Sequence, residues 1–149
     1  MKITFKGDYA LKAILDLSSH TGEAQSTEEI AKRQDIPPKF LEQIMISLKK
    51  GGFVKSLRGK KGGYILTRSP SRITMGEVIR YVEGPVEPIG CVCKGGERTC
   101  NYSERCSLRD VFNEIGKQTA GIVDKMTFEE LKNKQIKKMK MRGPDMYYI

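Results

Sequence analysis

The chain has 149 residues, 38% of them hydrophobic, enough for one compact domain with an appendage. No run approaches the roughly 20 apolar residues that span a bilayer. Asp8 and Lys12 interrupt the N-terminal apolar residues and no small-residue cleavage site follows, so a secretory leader is not expected. These features point to a cytoplasmic protein whose thiols stay reduced, and away from a disulfide framework.

The formal charge of +9 is concentrated rather than spread. From Gln43 to Gly76 there is no acidic residue, while Lys49, Lys50, Lys55, Arg58, Lys60, Lys61, Arg68 and Arg72 fall in that window. A solvated surface would interleave carboxylates, as the rest of this chain does. A cationic segment of this kind calls for a polyanion, and nucleic acid is the commonest. The later run "KNKQIKKMKMR" reads as a solvated helix end and tail.

In chain order, "DYALKAILDLSSH" places Tyr9 or Ala10, Ala13, Ile14 and Leu17 at helical spacing, with Asp8 positioned to cap the helix N-terminus. His20 at its end reads as a partly exposed polar residue. "HTGEAQ" breaks the pattern. In "STEEIAKRQ", Ser26 and Glu29 have the spacing of a capping box. Pro37 and Pro38 end one element and can start the next. The following helix runs to about Lys50, with Leu41, Ile44, Met45 and Leu48 on one face, and Gly51-Gly52 ends it.

Two short helices joined by a brief turn, the second amphipathic, form the layout of a helix-turn-helix. "FVKSL" and "YILTR" are β-prone runs around "RGKKGG", a basic hairpin whose glycines allow positive φ. A basic hairpin directly after the second helix is the wing of a winged helix. The fold class predicted is therefore mainly α with a small β-hairpin wing.

"ITMGEVIRYVEG" opens with another capping-box pair, Thr74 and Glu77, and closes at Gly84. A loop rich in Gly and Pro follows to residue 106. From Ser107 to about Met126, Leu108, Phe112, Ile115, Thr119, Ile122 and Met126 alternate spacings of four and three, as in a coiled-coil seam. Gly116 and Gly121, each costing about 1 kcal/mol in a helix interior, are tolerable where another helix packs closely. The single small core ahead of it leaves little surface to cover, which favours a dimer helix over one laid on its own domain. "TFEELKNKQ", with Thr127 and Glu130 at capping-box spacing, adds a last short helix, and "GPDMYYI" reads as a frayed end. The predicted organisation is a DNA-binding domain over 1–84, a cysteine loop over 85–106, a dimerisation helix region over 107–132 and a basic, flexible tail over 133–149.

The segments "DYALKAILDLS", "IPPKFLEQIMISLKKGGFVKSLRGKKGGYIL" and "ITMGEVIRYVEGP", with cysteines before a long helix, resemble the IscR/NsrR/CymR-type regulators, the Rrf-two family. The likeness covers about residues 1–130. It implies a dimeric winged-helix transcription factor, with an iron–sulfur cluster in many members and none in others. "LEQ" and the cysteine loop look most like the IscR branch, which adjusts transcription to cluster supply. That branch places a histidine three residues after the last cysteine, where this chain has Arg109.

All four cysteines, Cys91, Cys93, Cys100 and Cys106, lie in that loop. Soft, anionic thiolates match iron–sulfur clusters. Cys100 and Cys106 belong to either three-cysteine set; the resemblance slightly favours Cys91 over Cys93 as the third. The fourth ligand is the remaining cysteine or Asp8, since some relatives take an oxygen ligand from the N-terminal helix. A two-iron cluster ranks ahead of a four-iron one. A dithiol switch ranks second, and zinc third because no cysteine pair has the spacing of a structural zinc site.

With Leu41, Ile44, Met45 and Leu48 buried, the recognition helix would present Pro38, Lys39, Glu42, Gln43 and Ser47 to the major groove. Gln43 can pair with adenine and Glu42 can accept from cytosine N4. Arg58 at the wing tip is placed for a minor groove, with Lys60 and Lys61 on phosphates. A two-fold dimer would read a palindromic operator. No Ser/His/Asp set, P-loop or paired-carboxylate site suggests an enzyme. An electron carrier would leave the wing without a purpose. The closest rival is a cluster-free regulator of cysteine metabolism.

Overall fold

A computed structural model of the chain describes residues 2–93, 100–102 and 104–142. Six helices are present among them: α1 (Phe5–Ser19), α2 (Thr27–Gln34), α3 (Pro38–Lys50), α4 (Met75–Glu83), α5 (Ser107–Val123) and α6 (Phe128–Arg142). The strands β1 (Val54–Leu57) and β2 (Gly63–Leu66) pair antiparallel, with Val54 opposite Leu66 and Leu57 opposite Gly63. Single 3₁₀ turns occupy Pro70–Arg72 and Gly90–Val92. No helix among the described residues is long and apolar enough to cross a membrane.

The capping boxes at Ser26/Glu29 and Thr74/Glu77 form as their spacing predicts, each hydroxyl accepting from the third backbone N–H while the glutamate accepts from the cap. Thr127 and Glu130 make the same exchange, at 3.2 and 3.0 Å. At α1 the cap differs from the expectation. Thr4, not Asp8, is the N-cap; Asp8 lies inside the helix and pairs with Lys12 at 2.7 Å. Glu83 explains the difference. Its carboxylate accepts from the Thr4 N–H at 3.0 Å and hydroxyl at 2.6 Å, drawing the helix start four residues upstream of Asp8.

Leu41, Ile44, Met45 and Leu48 are buried, as their spacing requires, against Ala10, Ile14 and Leu17 of α1. Phe128 opens α6 and is fully buried, its N–H donating to Ile73 O at 3.0 Å. Burying such a ring contributes about 1.5–3 kcal/mol and docks α6 on the winged domain. That docking carries α6 to Arg142, where the sequence predicted a short helix and a tail from residue 133. A second, smaller core of Ile79, Val86 and Val123 ties α5 to α4.

Asp16 is almost wholly buried on α1 and accepts two bonds from Arg33, at 2.7 and 3.0 Å, and one from Gln34 at 3.0 Å. Arg33 also reaches Gln25 at 2.8 Å. Hydrogen bonding to Asp16 holds the Arg33 guanidinium above its already high range. A buried carboxylate is costly unless paired and bonded in this way, and the network orients α2 on α1. His20 ends α1 half-buried, its Nδ1 2.9 Å from Asp16 O.

Candidate nucleic-acid interface and cysteine loop

On α3 the buried face leaves Pro38, Lys39, Glu42 and Gln43 exposed, as read from the sequence, whereas Ser47, expected among them, is half-buried. Two apolar side chains join this surface: Phe40 is 66% and Ile46 43% exposed. Phe40, Gln43, Ile44 and Ser47 face Phe5, Lys6 and Tyr9 of α1 across a groove of about 640 Å³. The sequence reading missed this groove. Its signal was Phe40, an aromatic off the buried stripe.

The wing tip is the turn 58–62, closed by Gly62 N–H donating to Gly59 O at 2.9 Å. Gly59 and Gly63 have φ of 111° and 146°, which side-chain-bearing residues rarely adopt. Arg58, Lys60 and Lys61 are exposed there. Among the described residues none of the three forms an ion pair. Not every cation of the acid-free window is spare. Arg68 pairs with Glu77 at 3.2 Å, donates to Arg72 O at 2.9 Å and lies over the Phe53 ring. Lys49 donates to Ser56 at 2.7 Å, tying α3 to β1. The outward charge therefore belongs mainly to Lys50, Lys55, Arg58, Lys60, Lys61 and Arg72. An exposed helix face beside an unpaired cationic hairpin can grip duplex phosphates while presenting amide and carboxylate groups to base edges.

A model of the family described as "Rrf2: Iron-dependent Transcriptional regulator" matches residues 3–134. The chain belongs to this family of transcriptional regulators. The HTH-type transcriptional regulator IscR of Klebsiella pneumoniae is 37% identical over 137 residues, 91% of this chain and 82% of that one. Among solved structures, the chain is similar to CymR, the global cysteine regulator of B. subtilis (TM-score 0.75, 30% identity, 89% of this chain and 97% of that one). It is also similar to T. potens IscR (TM-score 0.71, 29% identity, 99% and 95%). These Rrf2 relatives are transcriptional regulators, not enzymes, and the winged-helix fold read from the sequence is theirs.

Within this Rrf2 chain the cysteines stand at the junction of α4 and α5. Cys91 lies in the 3₁₀ turn and Cys93 just after it, both half-buried, with Cys93 Sγ 3.5 Å from Ile89 O. Residues 94–99 and 103 fall outside the described residues. Cys100 is exposed. Cys106 is the N-cap of α5, half-buried, and its side chain makes no capping bond. Four thiols suit an iron–sulfur cluster in kind. Among the described residues, however, no three Cys, His, Asp or Glu side chains gather as a ready metal site, Asp8 included. Binding would have to draw the donors together.

On α5, Leu108, Val111, Ile115 and Ile122 are 45–66% exposed, forming an apolar stripe along the helix. Of the six predicted seam positions, Leu108, Ile115 and Ile122 are on it; Phe112, Thr119 and Met126 are half-buried. Gly116 is buried against Glu87 of its own chain, where an added Cβ would meet Glu87 Cγ at 3.3 Å. Gly121 faces open space. One side of α5 thus packs on its own domain and the other carries the stripe.

Proposed function

We propose that this protein is a homodimeric, operator-binding transcriptional regulator whose affinity for DNA is set by an iron–sulfur cluster held by the cysteine loop. The observation that carries the reading is the placement of all four thiols on the one segment, 84–106, that joins the winged domain to α5. Cys100 and Cys106, with Cys91 or Cys93, would supply thiolate ligands, and Asp8 is the candidate oxygen ligand. The cluster, when bound, supplies a redox- and supply-sensitive centre. The chain's own residues do the rest. Pro38, Lys39, Glu42, Gln43 and Ser47 line the major-groove face, and Arg58, Lys60 and Lys61 hold the backbone. The α5 stripe, unpartnered in one chain, pairs with its copy across a two-fold axis. The dimer sets the two recognition helices about 34–36 Å apart, one turn of B-DNA.

A second reading is a cluster-free thiol switch acting on cysteine metabolism, favoured by the likeness to CymR and by the absence of a gathered donor set among the described residues. Anaerobic purification with a visible spectrum, iron, sulfide and zinc analysis, and promoter-fragment binding in loaded and empty forms separates the two. Visible absorption with stoichiometric iron and sulfide, and different affinities in the two forms, supports the cluster. Colourless, metal-free protein with redox-dependent binding supports the switch. Failure to prefer any promoter fragment over random duplex sinks both.

A further inference from the structure

Arg80 and Tyr81 are consecutive on α4, about 100° apart around the helix, and they hold different helices. Arg80 grips α5: its guanidinium makes a two-pronged pair with Asp124, Nη1 to Oδ1 and Nη2 to Oδ2, the latter at 3.1 Å. The hydrogen bonds to Asp124 hold Arg80 above its ordinary range. Gly76 makes room for this pair; a Cβ there would collide with the Asp124 carboxylate. Tyr81 grips α3. Its hydroxyl donates to Ser47 O at 2.8 Å, and its ring stacks edge-on against Phe53 at 5.4 Å. A Cβ at Gly51 would fall 2.6 Å from Tyr81 Cζ, so the ring sits directly on the helix end.

The loop 84–106 is the covalent link between α4 and α5, and Arg80–Asp124 is a non-covalent link between the same two helices. Together they close a ring. A change in the loop that shifts α5 against α4 would strain or relax this contact, and Tyr81 is the side chain through which α4 would pass that shift to the recognition helix. Ser47, whose carbonyl receives that bond, lies on the candidate DNA face.

We infer that Tyr81 is the positioning residue that transmits the state of the cysteine loop to the recognition helix, with Arg80 as its anchor on α5. This rests on the reading that loop state controls operator binding. The transmission is a two-ended mechanical contact, not a residue-by-residue wire. Tyr81 is 43% exposed, so loss of its hydroxyl leaves the fold intact.

The test compares wild type, Tyr81→Phe and Arg80→Gln. Each is measured in cluster-loaded and chelator-emptied forms against the duplex that wild type enriches from a random-sequence pool. The readout is the ratio of loaded to empty affinity, with thermal midpoint and cluster content as controls. A ratio in Tyr81→Phe about 2- to 10-fold closer to one than in wild type, at unchanged cluster content, supports the inference; the factor corresponds to one hydrogen bond. Arg80→Gln should move the ratio the same way. If both forms of Tyr81→Phe weaken equally, or its ratio equals the wild-type ratio, Tyr81 is structural only and the inference fails alone. A wild-type ratio of one removes the cluster-control reading, and this inference with it.

Discussion

Gln25 and Tyr64 exchange two main-chain hydrogen bonds, at 3.0 and 2.8 Å, so the linker between α1 and α2 lies against the wing as a third line of backbone. The same Gln25 receives Arg33, whose other bonds go to buried Asp16. Wing, linker and first two helices are thereby one rigid block.

Gly63 sits where this block is tightest. Its φ is 146°, and a Cβ would fall 2.6 Å from the Gln25 carbonyl carbon. Gly63→Ala should cost about 1–3 kcal/mol of strain. Thermal unfolding is expected to show a lowered midpoint and duplex binding a loss, since the wing can no longer seat against Gln25.

Arg58 stands at the wing tip without an ion-pair partner among the described residues. Arg58→Ala should weaken duplex binding and make log K against log salt shallower by about one unit. An unchanged slope places Arg58 outside the interface.

The α5 stripe has a direct consequence for assembly. Ile122→Glu, or Leu108→Glu, puts a charge on the side that faces away from the domain and should leave the monomer folded. Sedimentation is expected to show a dimer for wild type and a monomer for each variant, with operator affinity falling in parallel. A wild-type monomer at micromolar concentration would overturn the pairing.

Removing ligands tests the loop. Cys100→Ala and Cys106→Ala should abolish the visible absorption and bind operator as the emptied wild type does. Variants that bind every site like the loaded wild type would end cluster control.

Glu83 offers a pH signature. Hydrogen bonds from Thr4, its hydroxyl first, hold this carboxylate below the usual range. A depressed folded value stabilises the protein above the ordinary glutamate value of about 4.3. That contribution is lost as pH falls from there through the depressed value. Glu83→Gln should therefore cost up to about 1 kcal/mol of stability at neutral pH for so accessible a group, seen as a modestly lowered thermal midpoint, and match wild type in acid. A difference that persists at low pH would assign the effect to shape rather than charge.

Local chemistry made much of the winged domain readable. Ser26/Glu29, Thr74/Glu77 and Thr127/Glu130 each declare a helix start within four residues, and Pro38 with Leu41, Ile44, Met45 and Leu48 defines α3 without help from elsewhere. What escaped depends on distant partners. Thr4 became the cap of α1 because Glu83, 79 positions away, holds it. α6 continues to Arg142 because Phe128 anchors it on Ile73, and no local period shows that. The predicted seam is partly turned inward because Val123 finds Ile79 and Val86. For the cysteines, proximity in sequence showed where the chemistry lies but not how it assembles, since spacing within a loop does not determine which sulfurs meet.

Leu108, Val111, Ile115 and Ile122 also bear on dosage. A regulator that reads DNA only in pairs responds to the square of its own abundance while unpaired chains predominate. Halving the supply of chains would then quarter the active species, giving the promoter a sharper threshold than a solitary binder could provide.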